Sequence, residues 1–316
     1  MKSTFFQAAR ILFVIGLLIW LVRKIEVSNL VNLLKDVQLV YFIPVFFLIG
    51  LESAIRSYNW MLLLRCRGIT LKFGHVLYAY LAGAFFGTFI PSSMGVDLTR
   101  FLFLRRYRDV RTQDAAVTIL ALNVIALLVL CLTVSVSALL LARQVEFSAL
   151  LLLLSASSLS AVLGFCALYY FQKPIRSKLE PLFSGKLASK VWSVLDAFSF
   201  FQHHYALFGK VMVLSFMNLI LSSLTVYFVS QAIYGGIPLL YFLLLMPVIN
   251  LTRILPHSIG GLGGEQGIFV FLFTTFGFRE DAVFLMSLLL SASVMLFMLS
   301  GGILYLIKTL TTKTER

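Results

Sequence analysis

Two polar, helix-breaking stretches interrupt an otherwise apolar sequence: FIPSSMGVDLTR at residues 89–100 and LPHSIGGLGGEQG at residues 255–267. Both contain the pattern Pro-x-Ser-x-Gly, which begins at Pro91 in the first and at Pro256 in the second. Proline and glycine interrupt a helix, so free backbone N–H groups are expected where the next helix begins. The dipole of that helix adds a partial positive charge, and the combination favours an anion such as a phosphate-bearing headgroup.

The residues that we predict to contact this anion lie in the two stretches or belong to the helices around them. The glycines in the set let a backbone approach a ligand closely. The predicted substrate-binding residues are Arg56, Ser92, Ser93, Asp97, Arg100, Asn250, Arg253, His257, Ser258, Gly260, Gly261, Gly263 and Gly264. The turns themselves are predicted to be formed by Pro91, Gly95 and Pro256.

Two charges stand halfway along the second apolar segment, Glu52 and Arg56, four residues apart and therefore on one helix face. An ionised residue at the bilayer centre costs at least about 2.5–3.5 kcal/mol, so such residues usually line a functional cavity. Arg56 is predicted to pair with the phosphate, and Arg253, just before the second break, is its counterpart. The alternative is that Glu52 and Arg56 neutralise each other as a buried pair.

Three acids are predicted to form a charge relay, with proton coupling as a hypothesis: Glu52, Asp97 and Glu265. Structural alternatives stand beside these roles. Asp97 can act only as an N-cap and Glu265 only as a first-turn acid. Arg100 can be an interfacial residue whose charged end reaches toward water, and His257 a hydrogen-bonding residue of the turn. The glycines can serve close helix packing alone.

The composition is that of a membrane protein: 60% of the 316 residues are hydrophobic and only 12% are charged, about half the charged fraction of soluble domains. The net charge of +13 is better explained by basic residues at the ends of spans than by nucleic-acid binding. The three cysteines, Cys66, Cys131 and Cys166, have no CxxC spacing and are interpreted as packing residues. We predict no metal and no cofactor.

The predicted fold class is an all-α polytopic membrane protein with six full spans and two re-entrant (broken) helical hairpins in an inverted-topology repeat. The full spans are predicted at residues 5–22, 40–64, 115–142, 147–171, 209–234 and 281–307, and the hairpins at 75–104 and 239–277. The arms of the hairpins are short for a hydrocarbon core of about 30 Å. The distribution of Lys and Arg places both termini in the cytoplasm. Eight full crossings would give the same sidedness.

With the hairpins re-entrant, residues 1–142 and residues 147–307 each contain span, span, hairpin and span in that order. The first half starts inside and the second starts outside, an arrangement found in many transporters. Residues 172–208 are predicted to form a cytoplasmic amphipathic loop, with an apolar helical stripe from Leu187 to Phe201, and residues 308–316 a tail. A membrane-surface helix is the first interpretation of this loop, and a partner-docking helix the second.

Three sequence stretches resemble motifs of one family: RSYNWMLLLR (56–65), FIPSSMGVDLTRFLFLRR (89–106) and LPHSIGGLGGEQG (255–267). By these the sequence resembles the flippase-like transmembrane domain of the lysylphosphatidylglycerol synthase family, in a stand-alone form. The resemblance implies these motif positions: Arg56, Pro91, Asp97, Arg100, Pro256, Gly260, Gly261, Gly263 and Glu265. The sequence departs from the family pattern in three places. Val96 replaces a glycine, an asparagine before the first proline is absent, and Glu265 comes one residue early.

The resemblance implies movement of lipids between leaflets. No aminoacyl-transferring domain is recognised, so we expect no synthesis of lysyl-lipid and no enzyme. The predicted function is a lipid translocase for an anionic phospholipid or a polyprenyl-phosphate-linked lipid, with the headgroup held between the two hairpins. The predicted partners of the protein are membrane lipids and not nucleic acid. Assembly into a homo-oligomer is an open alternative. The predicted location is the cytoplasmic (inner) membrane of a bacterium or archaeon.

Two other functions stay open. One is a secondary transporter of a small soluble anion, which uses the same kind of repeat. The other is an intramembrane enzyme acting on lipid-linked sugars, which is disfavoured because the sequence contains no HExxH, GxSxG or GxGD motif. No nucleotide-binding loop is recognised either, so we expect transport to use an ion or lipid gradient or to have no energy source.

Overall fold

The computed structural model describes residues 33–89, 95–105, 107, 112–144, 148–170, 204–233, 235–252, 258–259 and 262–314. A short 3-10 helix at Leu39–Tyr41 precedes the first long helix. The α-helices of the described residues are α1 (Phe42–Cys66), α2 (Phe73–Thr88), α3 (Gly95–Leu104), α4 (Thr112–Leu141), α5 (Ser148–Tyr170), α6 (Tyr205–Ile233), α7 (Leu239–Thr252), α8 (Gly264–Thr275) and α9 (Glu280–Thr314). Two strands of two residues each, β1 (Ser258–Ile259) and β2 (Leu262–Gly263), pair antiparallel between α7 and α8.

Five of these helices are long and apolar enough to cross a membrane: α1, α4, α5, α6 and α9. They coincide with five of the six predicted full spans. The sixth, residues 5–22, lies outside the described residues, as does most of the predicted loop 172–208. The protein is thus an all-helical polytopic membrane protein apart from the small strand pairing, which the sequence did not predict. The total number of spans and their threading stay predictions.

The two predicted interruptions coincide with breaks between helices. Helix α2 ends at Thr88 and α3 begins at Gly95, while α7 ends at Thr252 and α8 begins at Gly264. At 1.5 Å per residue these four helices are about 24, 15, 21 and 18 Å long, all shorter than a hydrocarbon core of about 30 Å. Their lengths are compatible with re-entrant arms, and the re-entrant path itself stays a prediction.

The described residues belong to two compact units, and the boundaries between the units fall inside helices. The first unit comprises residues within Met1–Ala54, Leu77–Phe103 and Leu219–Arg316. The second comprises Ile55–Val76 and Leu104–Asn218. The predicted repeat halves, 1–142 and 147–307, are a statement about threading across the membrane and stay a prediction.

Helix α9 ties the first unit together. A Cβ added at Gly50 of α1 would touch the ring of Phe297 at 3.6 Å. Further along α9, Gly301 lies against the backbone of Leu81 so closely that a Cβ would collide with it. Ten residues before Gly301, Ser291 accepts a hydrogen bond from Gln266 of α8. One helix therefore contacts α1, α2 and α8.

The second unit has a conventional apolar core between α1, α4 and α6. Leu63, Ile125 and Val211 are fully buried there. Helices α4 and α5 pack as an antiparallel pair, in which the hydroxyls of Ser135 and Ser155 each lie within hydrogen-bond distance of the other's carbonyl oxygen, at 3.2 and 2.8 Å. Small residues at this contact let the two backbones approach, as is typical of membrane helices.

Candidate functional site

The two arms of the first interrupted region pack side by side in the first unit. Glycines at 83 and 87 lie one helical turn apart on α2 and face α3. A Cβ at Gly83 would lie 2.5 Å from Cγ of Arg100, and one at Gly87 would collide with the backbone of Val96. The hydroxyl of Thr99 lies 2.5 Å from the carbonyl oxygen of Gly83. Close approach of α2 and α3 therefore depends on these glycines.

Arg100 is held between an acid and an aromatic ring. Its Nη1 atom lies 3.3 Å from Oδ1 of Asp97, one turn earlier on α3. Its guanidinium carbon lies 3.9 Å from the centroid of the Tyr80 ring on α2, within the range of a cation–π interaction. Only 13% of the side chain is exposed. The contact of Arg100 with Tyr80 thus joins the two arms, while its contact with Asp97 lies within α3.

Asp97 occupies the first turn of α3, two residues after the helix begins at Gly95. The expectation that Asp97 caps this helix is wrong in its position, because a cap residue precedes the first helical residue. A carboxylate in the first turn still stabilises the helix through its dipole. Its bond to Arg100 adds a second reason for an acid at this place.

Glu52 lies midway along α1, in the first unit, and its carboxyl group meets α6. Oε1 of Glu52 lies 2.8 Å from the hydroxyl oxygen of Thr225. The same hydroxyl lies 2.9 Å from the carbonyl oxygen of Leu221, one turn earlier on α6. Glu52 is half-buried and Thr225 is 2% exposed. A titratable carboxyl group is thus joined to the backbone of a neighbouring span through one hydroxyl.

Arg56 lies one turn further along α1 and belongs to the second unit. Its Nε donates a 2.7 Å hydrogen bond to Oδ1 of Asn218 on α6, and its side chain is exposed. Nearby, Nδ2 of Asn59 donates to the hydroxyl of Ser215 at 3.3 Å. The Nε of Arg56 is therefore positioned by a neutral amide of α6.

The remaining predicted residues are distributed as follows. Asn250 lies in the last turn of α7 and is half-buried. Ser258 belongs to β1, Gly263 to β2, and Gly264 and Glu265 are the first two residues of α8. The predicted residues that lie outside the described part of the chain are Pro91, Ser92, Ser93, Arg253, Pro256, His257, Gly260 and Gly261.

Asn218 and Thr225, both on α6, were missed by the sequence reasoning although they contact two of the predicted residues. The sequence does contain a signal for these two residues, namely polar side chains at helical spacing within an apolar span. Ser215, Asn218 and Thr225 stand at positions i, i+3 and i+10 and therefore share one helix face, as Glu52, Arg56 and Asn59 do on α1. Polar residues at helical spacing inside an apolar span usually face other helices or a cavity.

The motif around Arg56 divides into a polar and a packing part. Trp60, Leu63 and Leu64 are at most 1% exposed. The indole Nε1 of Trp60 donates to the hydroxyl of Thr118 on α4 at 3.3 Å. This division explains a motif with one arginine and several large apolar residues: the apolar residues anchor α1 in the core of the second unit and leave the arginine accessible.

A cavity of about 510 Å³ lies in the first unit, beside the start of α1 and the middle of α9. Among the described residues that line it, Lys35 carries a charge and Ser293 a hydroxyl, and the others are apolar. Among the residues that the structure describes, none of those predicted to bind substrate lines this cavity.

Comparison with known proteins agrees with these motifs. The family model for the lysylphosphatidylglycerol synthase TM region matches residues 7–302. No curated protein matches the chain. The match extends over all the helices described above apart from the last residues of α9, and it confirms the family resemblance seen in the three sequence stretches. The chain belongs to the family of the lysylphosphatidylglycerol synthase TM region.

Proposed function

We propose that the protein is a lipid translocase that moves an anionic phospholipid, or a polyprenyl-phosphate-linked lipid, between the leaflets of the membrane. The family gives the coarser part of this proposal, a membrane domain with a lipid-related role. The anionic character of the headgroup and the residues that contact it are inferred from side-chain chemistry.

The exposed guanidinium of Arg56 is the observation that carries the proposal. It lies near the middle of a candidate span, where a charged residue is costly and usually has a function. Asn218, a neutral amide, accepts a hydrogen bond from its Nε and positions the side chain. A guanidinium matches the geometry of a phosphate oxygen pair, so a passing phosphate headgroup is a chemically suitable partner.

The two interrupted regions, whose described arms lie almost wholly in the first unit, support the proposal in a second way. Both α3 and α8 begin with a glycine, at Gly95 and Gly264, and the first N–H groups of a helix have no partner within that helix. Helix starts of this kind favour anions. We propose that the headgroup passes between these regions while the acyl or prenyl chains stay in lipid, and that the protein transports and does not catalyse.

The experiment that tests the proposal is mass spectrometry of lipids retained by the gently purified protein. Wild type is compared with Arg56→Ala and Glu265→Gln. Arg65→Ala is the matched control, because Arg65 is an exposed arginine in the last turn of the same helix. We expect one lipid class to be enriched in wild type and in the control, and to be lost with Arg56→Ala.

Movement between leaflets is then measured with fluorescent analogues of the retained class in reconstituted vesicles. Transfer by wild type that is lost in Arg56→Ala supports the translocase. Identical bulk lipid in all four proteins, without transfer, would contradict it. A soluble-anion carrier would then become the leading function, and uptake of inorganic phosphate or sulfate into the same vesicles would test it.

A further inference from the structure

We propose that Glu52 is a proton-binding site and that the hydroxyl of Thr225 changes its hydrogen-bond partner when the proton arrives or leaves. The inference deepens the proposed function, because it names the ion that lipid movement would be coupled to. Its coupling to transport rests on the proposed function, whereas proton binding at Glu52 does not.

The starting point is the number of hydrogens available at Thr225. A threonine hydroxyl carries one hydrogen and two acceptor lone pairs. It lies within hydrogen-bond distance of two oxygens, Oε1 of Glu52 at 2.8 Å and the carbonyl oxygen of Leu221 at 2.9 Å. When Glu52 is ionised, both oxygens are acceptors and the single hydrogen can serve only one of them at full strength.

Two states follow from this geometry. With Glu52 ionised, the Thr225 hydrogen turns to the carboxylate and makes a charge-assisted bond. With Glu52 protonated, the acid donates its own hydrogen to Thr225, whose hydrogen turns to the carbonyl of Leu221, and all three groups are bonded in a chain. No heavy atom has to move, so the contact accommodates both protonation states and a single hydroxyl rotation distinguishes them.

The surroundings of Glu52 determine which charges act on it. On its own helix the nearest charged residue is Arg56, one turn further along. Helix α6 carries one charged residue, Lys210, fifteen residues before Thr225, and its Tyr227 packs against Phe242. Helix α9 meets α1 at Gly50 and carries its charges near its ends, at Glu280, Asp281, Lys308 and Lys313. Glu52 and Arg56 are thus the charged pair of the middle of α1.

The tightest test of the inference is infrared difference spectroscopy of the full-length protein in vesicles of phosphatidylglycerol and phosphatidylethanolamine, between acidic and neutral pH. A carboxyl group that exchanges a proton gives a C=O band of the acid and a paired band of the carboxylate. We expect Glu52→Gln to remove one such pair. Glutamine keeps the size of the side chain and can donate to Thr225, but it cannot exchange a proton in this range.

Thr225→Val keeps the shape of the residue and removes the hydroxyl. We expect it to shift the acid band of Glu52 to higher frequency, since the acid loses its acceptor, and Thr225→Ser to restore the wild-type frequency. The control is Thr133→Val, since Thr133 bonds the preceding turn of α4 in the same way and contacts no acid in the described structure.

Identical difference spectra for wild type and Glu52→Gln would overturn the inference, because Glu52 would then keep one protonation state throughout. An unchanged acid band in Thr225→Val would overturn the role of Thr225. In the same vesicles, wild-type lipid transfer should respond to an imposed pH gradient. Absence of any lipid transfer in wild type would refute the proposed function and leave the spectroscopic result on Glu52 standing.

Discussion

The guanidinium of Arg100 lies on the face of the Tyr80 ring, with 3.9 Å between its central carbon and the ring centroid. The two residues come from the two arms of the first interrupted region. Tyr80 is 6% exposed, so the contact is shielded from water, which strengthens a cation–π interaction. This contact explains why a cation on α3 and an aromatic residue on α2 stand where the two arms pack together.

Replacing Tyr80 by leucine should therefore lower the free energy of unfolding, by about 1–2 kcal/mol from the lost cation–π interaction and by more from the lost packing. Tyr80→Phe keeps the ring face and should cost much less. Thermal unfolding in detergent measures both. A double-mutant cycle with Arg100→Met separates the pairwise energy from the packing loss, and a coupling energy near zero would show that the stacking contributes nothing to stability.

Close packing of α2 on α3 should make alanine destabilising at Gly83 and Gly87, although alanine usually favours a helix over glycine. The added methyl group would collide with Arg100 or with the backbone of Val96, and overpacking of this kind typically costs about 1–3 kcal/mol. Gly74→Ala is the matched control on the same helix, because nothing lies within 4 Å of its Cβ position. Equal melting temperatures for all three variants would contradict the packing account.

Asn218→Asp tests whether the positive charge of Arg56 is needed to hold an anionic lipid. A carboxylate at this place would accept from Nε of Arg56 as the amide does, and would also add a negative charge that competes with a phosphate for the guanidinium. We expect folded protein whose retention of an anionic lipid is weaker by about tenfold or more, which corresponds to about 1.4 kcal/mol. Asn218→Gln keeps the amide and should retain more lipid. Full retention by Asn218→Asp would mean that Arg56 does not contact the phosphate.

The re-entrant threading predicts how a cysteine at position 93 reacts. After the native cysteines are replaced by alanine, Ser93→Cys should react slowly with a membrane-impermeant maleimide from either side, because a re-entrant tip lies at mid-depth. Ser148→Cys is the reference for the predicted outer surface and Thr70→Cys for the predicted inner surface. Rapid labelling of position 93 from outside would instead support full crossings by both arms. Ser258→Cys gives the corresponding test for the second region.

Local sequence features predicted the breaks well. Helices α3 and α8 begin at Gly95 and Gly264, as the proline and glycine pattern indicates, because these residues act on their own backbone. The long apolar segments likewise became helices at the expected places. In both cases the information lies within the segment itself.

The partners of the charged residues were not predicted, because they are far away in the sequence. Glu52 and Thr225 are 173 positions apart, and Arg56 and Asn218 are 162 apart. Which polar residue of one span meets which residue of another depends on the rotation and height of both helices, and apolar packing over their whole length sets these. The polar residues on one face of α6 could have been predicted to meet other helices, but the sequence does not indicate which residue of α1 each one contacts.

The glycines that bring α2 and α3 together were also overlooked, although Gly83 and Gly87 have the four-residue spacing of membrane helix contacts. Spacing alone indicates that a close contact exists. The identity of the neighbour, here Arg100 and Val96, is fixed only by the folded chain.

Helix α9 touches the second interrupted region through Ser291 and the first through Gly301, ten residues or about 15 Å further along its axis. A straight helix bends little over so short a distance, so a tilt of α9 would move both contacts together. If it tilts about any point between them, one contact is pushed while the other is drawn back. An opening at one interrupted region and a closing at the other can therefore be the two ends of one motion.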